Sequence, residues 1–160
     1  MWLHYDVMAN VLCQIGGSKR LLLYPPSDIS LFSILPGSSS SSINCFDPDP
    51  LDIPSLALGH PQEALLNPGD VLFIPAFWLH TASPIDNLSI SINVFFRNLE
   101  AGYAPGRDVY GNRDLQAYEK SRKDIERIVK SFAKLPPEVA RFYLDRLGDE
   151  LKAEAQKYGS

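Results

Sequence analysis

Two histidines and an aspartate stand out by type and spacing. His4-Tyr5-Asp6 lies near the start of the 160-residue chain, and His80 closes the run Pro68-Gly69-Asp70-Val71-Leu72-Phe73-Ile74-Pro75-Ala76-Phe77-Trp78-Leu79. In an extended strand side chains alternate faces, so His4 and Asp6, two residues apart, point to the same side. His80 follows an apolar stretch, Val71 to Pro75, that suits a second strand turning to present its imidazole inward. Two neutral imidazoles and one carboxylate on one triangular face leave the opposite face of an octahedron open. That set suits a mononuclear non-haem Fe(II) centre with room for a bidentate cosubstrate and O2. His-x-Asp alone is common by chance; the apolar, aromatic-terminated run before His80 is what makes it a candidate ligand set.

Other residues extend the site. Lys19 opens an apolar strand beside Leu21, Leu22 and Leu23. A carboxylate cosubstrate held deep in a barrel needs a buried cation to offset its desolvation. The plainer reading of Lys19 is an exposed residue of the Gly-Gly-Ser-Lys-Arg turn. Asn10 falls on the face of Asp6 if the extended stretch continues, and Asn93 lies in the alternating run Leu88 to Phe96. An amide in such a strand is unfavourable unless it has partners, which a pocket carboxylate or water supplies. Trp78 and Phe95 are expected to wall the pocket. Trp78, with Phe77, would equally serve by filling the barrel's core. His60 falls in a loop and reads as a solvent-exposed residue.

The elements that would position these groups follow from pattern. Two apolar runs between Trp2 and Tyr24, joined by Gly16-Gly17-Ser18, predict a hairpin. Pro25-Pro26 ends it, and a short helix over Asp28 to Leu35 follows Ser27 as N-cap. Residues 36–61 hold five consecutive serines and Asp47-Pro48-Asp49-Pro50, the composition of a mobile surface loop. It either borders the mouth of the site or has no specific role. Strands return from Gln62 to Asn98, with Pro68-Gly69-Asp70 as a turn. Leu115, Tyr118, Ile125, Ile128, Val129 and Phe132 recur at helical spacing, and after Leu135-Pro136-Pro137 a second helix carries Val139, Phe142, Tyr143, Leu147 and Leu151 on one side. Lys120, Arg122, Lys123, Arg127 and Lys130 make the first of these helices locally basic. A contact with phosphates there competes with the better reading, a solvated face of mixed charge.

Bulk properties bound the answer. A near-half apolar chain of this length builds a sizeable core, and a net charge of −4 gives no general attraction to nucleic acid. Cys13 and Cys45 are too few for a disulfide framework, which favours a reducing, intracellular setting, cytoplasmic or nuclear. No stretch reaches the roughly 20 apolar residues that cross a bilayer, so no membrane partner is expected.

Several segments together carry a resemblance: Trp2-Leu3-His4-Tyr5-Asp6-Val7-Met8-Ala9-Asn10, Gly17-Ser18-Lys19-Arg20, Leu23-Tyr24-Pro25-Pro26-Ser27-Asp28, the Pro-Gly-Asp run ending at His80, and Ile92-Asn93-Val94-Phe95-Phe96. The chain resembles the JmjC family of Fe(II)/2-oxoglutarate oxygenases, and most closely its branch of tRNA wybutosine hydroxylases. Asp108-Val109-Tyr110-Gly111-Asn112-Arg113-Asp114 and Leu135-Pro136-Pro137-Glu138 extend the likeness past the barrel.

The resemblance implies a mainly β fold with C-terminal helices. A double-stranded β-helix of the jelly-roll, cupin-like type would occupy 1–100, and a two-helix region that forms a homodimer would occupy 101–160. It implies Fe(II) on His4, Asp6 and His80, the distal carboxylate of 2-oxoglutarate on Lys19, and a cosubstrate pocket lined by Asn10 and Asn93. The implied reaction is hydroxylation of the wybutosine side chain next to the anticodon of tRNA-Phe. A JmjC protein hydroxylase or histone lysine demethylase, and a non-catalytic binding or dimerisation module, remain alternatives. In this family strands precede the His-x-Asp strand. The chain is therefore expected to be part of a longer protein, with the barrel's N-terminal strands missing, and to fold poorly or associate on its own.

Overall fold

The structure is a computed structural model and describes residues 2–97, 103 and 113–158. Among the described residues, seven strands lie in the first of two compact units, Met1–Ala117: β1 (His4–Tyr5), β2 (Ala9–Gly16), β3 (Lys19–Tyr24), β4 (Gln62–Leu66), β5 (Val71–Ile74), β6 (Leu79–Pro84) and β7 (Ile90–Phe96). They pair antiparallel in two sheets, of order β1-β6-β3-β4 and β5-β2-β7. The pairs β3·β4, β2·β5 and β1·β6 are nested, and successive strands pass between the sheets at every connection but β3 to β4. This is the rolled-up arrangement of a jelly roll.

Sheet membership corrects one expectation. β2 and β3 lie in different sheets, so Gly16-Gly17-Ser18 carries the chain from one layer to the other instead of closing a hairpin. Gly17 has φ +63°, and a Cβ there would sit 1.9 Å from the Leu88 carbonyl oxygen. Only glycine permits both the left-handed backbone and that approach. Alternation along the two runs cannot distinguish such an arch from a hairpin.

Each face of the four-stranded sheet has its own core. Between the sheets pack Leu12, Leu21, Leu23, Leu66, Ile74 and Ala82. On the opposite face Tyr5, Leu22, Tyr24 and Leu79 join Leu3, Val7 and Met8, and are covered by Phe32 and Ile43. Ile43 belongs to the serine-rich segment, which is a packed cover and not the mobile loop its composition predicts. Ser41 N–H donates to the Leu3 carbonyl at 2.9 Å, and Tyr5 N–H donates to the Ser39 carbonyl at 3.0 Å, so the segment satisfies the edge of β1. It also contains a helix, α1 (Ile53–Leu58). The helix expected over Asp28 to Leu35 is a 3-10 turn at Pro26–Leu31. Its buried Asp28 accepts from the backbone N–H of His60 at 2.7 Å and meets His60 Nδ1 at 3.0 Å, pinning the far end of the segment.

The outward face of the three-stranded sheet is apolar. Val11, Cys13 and Ile15 on β2 share it with Val71 and Phe73 on β5 and with Ile92, Val94 and Phe96 on β7, as the register dictates. Phe73 and Ile92 are more than half exposed. Among the described residues β7 pairs only with β2, leaving its other edge open.

The second unit, Tyr118–Ser160, is helical. α2 spans Gln116–Ser131 and α3 spans Pro137–Gln156, with Pro137 at the first helical position, where its missing N–H costs nothing. Phe132 and Tyr143 stack with centroids 6.5 Å apart. No helix among the described residues is long and apolar enough to cross a membrane.

Candidate metal centre and cosubstrate pocket

β1 and β6 pair with His4 directly opposite His80, their ring centroids 4.3 Å apart. Each imidazole is braced alike: His4 Nδ1 bonds the Trp2 carbonyl at 2.9 Å, and His80 Nδ1 bonds the Trp78 carbonyl at 3.0 Å. A carbonyl only accepts, so Nδ1 carries the proton in both rings, and the Nε2 lone pair is left to coordinate. Asp6 follows β1 and is buried, with its carbonyl accepting from Phe77 N–H at 2.8 Å. Asp6 Oδ2 lies 3.6 Å from His80 Nε2, and the ligand atoms of all three residues fall within 4.8 Å of one another. Burial, reinforced by the neighbouring His4, pushes the His80 imidazole down to about 4. It is therefore neutral near pH 7, the form a metal requires. One buried and one half-buried imidazole nitrogen and a buried carboxylate facing one point, with the second nitrogens satisfied by the backbone, fit a divalent cation of the Fe(II) or Zn(II) kind.

These groups line a cavity of about 270 Å³ between the two sheets. Its wall includes His4, Asp6 and His80, together with Asn10, Lys19, Asn93 and Phe95. Asn10 and Asn93 face each other, Nδ2 to Oδ1 at 3.4 Å, and among the described residues the buried Asn10 Oδ1 has no hydrogen-bond partner. An orphaned buried acceptor in the wall of a cavity is a place for a ligand's donor or a bound water. Lys19 projects into the same space, and burial lowers its pKa. Among the described residues it has no carboxylate partner, and its ammonium bonds the Ser91 hydroxyl. A desolvated cation without a counter-ion fits an anionic ligand such as a carboxylate.

Trp78 lies elsewhere. It is not in the wall of this cavity but packs with the cluster of Leu12, Leu21, Leu23 and Ile74. It precedes β6 and lies on the inter-sheet side, filling the core beside the cavity. His60 is exposed and far from the triad in role, anchored to Asp28.

One buried residue was not singled out from sequence. Gln14, only 1 % exposed, donates from Nε2 to the carbonyls of Gly16 at 2.9 Å and Gly17 at 2.7 Å and contacts Ser89 Oγ at 3.0 Å, while its Oε1 accepts from Ser91 Oγ at 2.9 Å. A polar amide among Val11, Leu12, Cys13 and Ile15 was the available signal. Of the segment Asp108 to Asp114 only Arg113 and Asp114 are among the described residues, and Asp114 Oδ1 accepts from the Tyr5 hydroxyl at 2.9 Å. A larger cavity, about 630 Å³, lies in the helical unit among Ile125, Ile128, Val129, Leu144, Leu147 and Leu151, with Glu150 and Glu154 also in its wall.

Comparison with known proteins agrees with the two-sheet architecture. A profile of the cupin-like domain matches residues 1–102. The chain is 62% identical over 157 residues to tRNA wybutosine-synthesizing protein 4 of Aspergillus oryzae, a match covering 98% of this chain and 15% of that protein. It is 63% identical over 154 residues to the protein of the same name from Gibberella zeae, covering 96% and 15%. Human tRNA wybutosine-synthesizing protein 5 is 35% identical over 147 residues, covering 92% of this chain and 46% of that protein. The chain thus spans about 15% of the first two relatives and under half of the third. With the profile running through the whole barrel that carries the triad, the chain belongs to the cupin-like domain family and is related to the wybutosine-synthesizing proteins.

Proposed function

We propose that this chain is an Fe(II)- and 2-oxoglutarate-dependent hydroxylase module that acts on the wybutosine side chain of tRNA-Phe next to the anticodon. The observation that carries the reading is a single cavity with His4, Asp6 and His80 clustered in its wall and the uncompensated ammonium of Lys19 in the same wall. A 2-oxo acid with a second carboxylate has the two ends that such a cavity asks for. The names of the relatives point the module toward tRNA and hence to an intracellular protein, cytoplasmic or nuclear.

His4, Asp6 and His80 would hold the metal, and the chemistry supplied with it bound is oxidative decarboxylation of 2-oxoglutarate to succinate with hydroxylation of an unactivated carbon. The protein's own contribution is positional. The backbone carbonyls of Trp2 and Trp78 fix both imidazoles in one tautomer, Lys19 would take the distal carboxylate, and Asn10 and Asn93 offer amide groups to the oxo acid. Leu12, Leu21, Ala82 and Phe95 keep the remaining wall apolar, which limits water at the reacting centre. The exposed Phe142, Tyr143 and Leu151 of α3 would serve a homodimer through the helical region.

The reading is tested by anaerobic titration of the chain with Fe(II) and 2-oxoglutarate, followed by succinate release with bulk tRNA or histone peptides. Asp6→Ala is expected to abolish metal binding, whereas Lys19→Ala keeps the metal and weakens 2-oxoglutarate. Absence of a visible charge-transfer band on adding 2-oxoglutarate would end the cosubstrate assignment. Succinate release that depends on peptide and not on tRNA would end the tRNA assignment.

A further inference from the structure

The Lys19 ammonium is held by a polar relay whose hydrogen-bond directions are fixed. Gln14 Nε2 faces two backbone carbonyls, those of Gly16 and Gly17, which can only accept. The amide cannot be turned over without setting Oε1 against both oxygens, so Oε1 must face Ser91. That oxygen only accepts, so the Ser91 hydroxyl spends its one proton on Gln14, at 2.9 Å. What Ser91 then presents to Lys19 is a lone pair, and Lys19 must be the donor. The order Gln14 to Ser91 to Lys19 therefore has one polarity.

The relay is placed to act through Lys19 and not on a ligand. Ser91 and Gln14 sit opposite each other in the β2·β7 register, and neither is in the wall of the cavity, whereas Lys19 is. One ammonium N–H is committed to Ser91, leaving two for a carboxylate. The long, flexible lysine stem would otherwise sample several rotamers in a space of this size. Gln14 also joins the relay to the backbone: its N–H donates to the Asp70 carbonyl and its carbonyl accepts from Gly69 N–H, both at 2.9 Å, so it is fixed against the β4–β5 turn as well as the β2–β3 crossing.

We propose that Ser91, oriented by Gln14, is a positioning residue that holds the Lys19 ammonium as a charged donor aimed at the distal carboxylate of the cosubstrate, and so sets the preference of the pocket for a dicarboxylic over a monocarboxylic 2-oxo acid. The inference rests on the assignment of Lys19 as that carboxylate's anchor. It goes beyond it in placing part of the discrimination on two residues that do not touch the ligand.

The test compares anaerobic binding of 2-oxoglutarate and 2-oxopentanoate to the Fe(II)-loaded full chain by calorimetry. The second acid keeps the five-carbon chain and carries a methyl in place of the distal carboxylate. Ser91→Ala is expected to weaken 2-oxoglutarate roughly tenfold, the size of a lost hydrogen bond to a charged group. It should leave the affinities for 2-oxopentanoate and Fe(II) unchanged. Ser91→Thr, which restores the hydroxyl, should return the preference to within about twofold of wild type. Ser91→Cys keeps the volume with only a weak acceptor and should behave as Ala does, which serves equally if the alanine variant does not fold. Loss of the preference in Lys19→Ala but not in Ser91→Ala or Ser91→Cys would overturn the relay while leaving the Lys19 assignment standing. A preference retained in Lys19→Ala would instead remove the assignment beneath it. Equal weakening of both acids in the Ser91 variants would reduce Ser91 to a structural role and also overturn the proposal.

Discussion

Acidifying the metal-free chain from pH 6.5 to 4 is expected to destabilise its β unit through one residue. Burial and the neighbouring His4 push the His80 imidazole from 6.5 down to about 4. Between those values the unfolded chain binds a proton there and the folded chain does not, so stability rises with pH across the window and is lost on acidification. The gap spans about 2.5 pH units, and at ~1.4 kcal/mol per unit the loss comes to about 3 kcal/mol. With an m-value of about 2 kcal/mol per molar urea, the denaturation midpoint should fall by about 1.5 M. The two tryptophans, Trp2 and Trp78, both lie in the β unit, so their fluorescence reports that unit selectively. The carboxyls of Asp28 and Glu63 are also shifted, but downward. Their contribution is present above their ordinary values of 3.8 and 4.5 and is lost only in more acid solution, so the loss from His80 begins at higher pH than theirs. A midpoint that is flat across the window, or a slope that persists in His80→Gln, would refute the argument.

Three further perturbations follow from packing. Gly17→Ala forces a side chain into left-handed backbone and against the Leu88 carbonyl, and should lower stability by at least ~1–3 kcal/mol; an unchanged urea midpoint would contradict the arch geometry. Phe32→Ala removes a fully buried ring that meets Tyr24 edge-on with centroids 4.6 Å apart, and should cost about 3–5 kcal/mol by urea titration; under about 1 kcal/mol would mean that the segment over that sheet face is not packed as described. Asp28→Asn offers a single acceptor oxygen where two are used by His60, so limited proteolysis should cut within 36–61 faster than in the wild type, and an unaltered pattern would show that the anchor lies elsewhere.

The parts of this molecule that are readable in its sequence are those set by near neighbours. The helical stripes and the Pro136-Pro137 break foretell α2 and α3, and the alternating run from Leu88 to Phe96 foretells β7. His4 and Asp6 share a face because they are two residues apart, and the structure brings His80 beside them. What is not readable depends on which layer a strand joins. The runs before and after Gly16-Gly17 look like hairpin partners, yet each pairs with strands far along the chain. Serine and proline content describes the segment over 36–61 as loop-like, while a few apolar side chains, Ile43 among them, decide that it packs. Trp78 has the spacing of a pocket residue but fills the inter-sheet core beside the cavity and not its wall. Gln14 shows the reverse case, a polar residue whose importance appears only when its four partners, drawn from both ends of the barrel strands, are seen together.

β2 is a single ribbon read from two sides. Asn10, Leu12 and Gln14 point to the inner side, Asn10 and Leu12 into the cavity wall and Gln14 behind Lys19, while Val11, Cys13 and Ile15 stand on the outer surface of the same strand. A shift of β2 by one residue would exchange the two sets, drawing valine, cysteine and isoleucine inward and expelling Asn10 from the cavity wall and Gln14 from its place beside Ser91. Whatever comes to lie on the outer surface therefore grips the strand at its pleat and indexes the pocket behind it. The thickness of one sheet is all that separates a contact made outside the barrel from the alignment of Asn10 and Gln14 within.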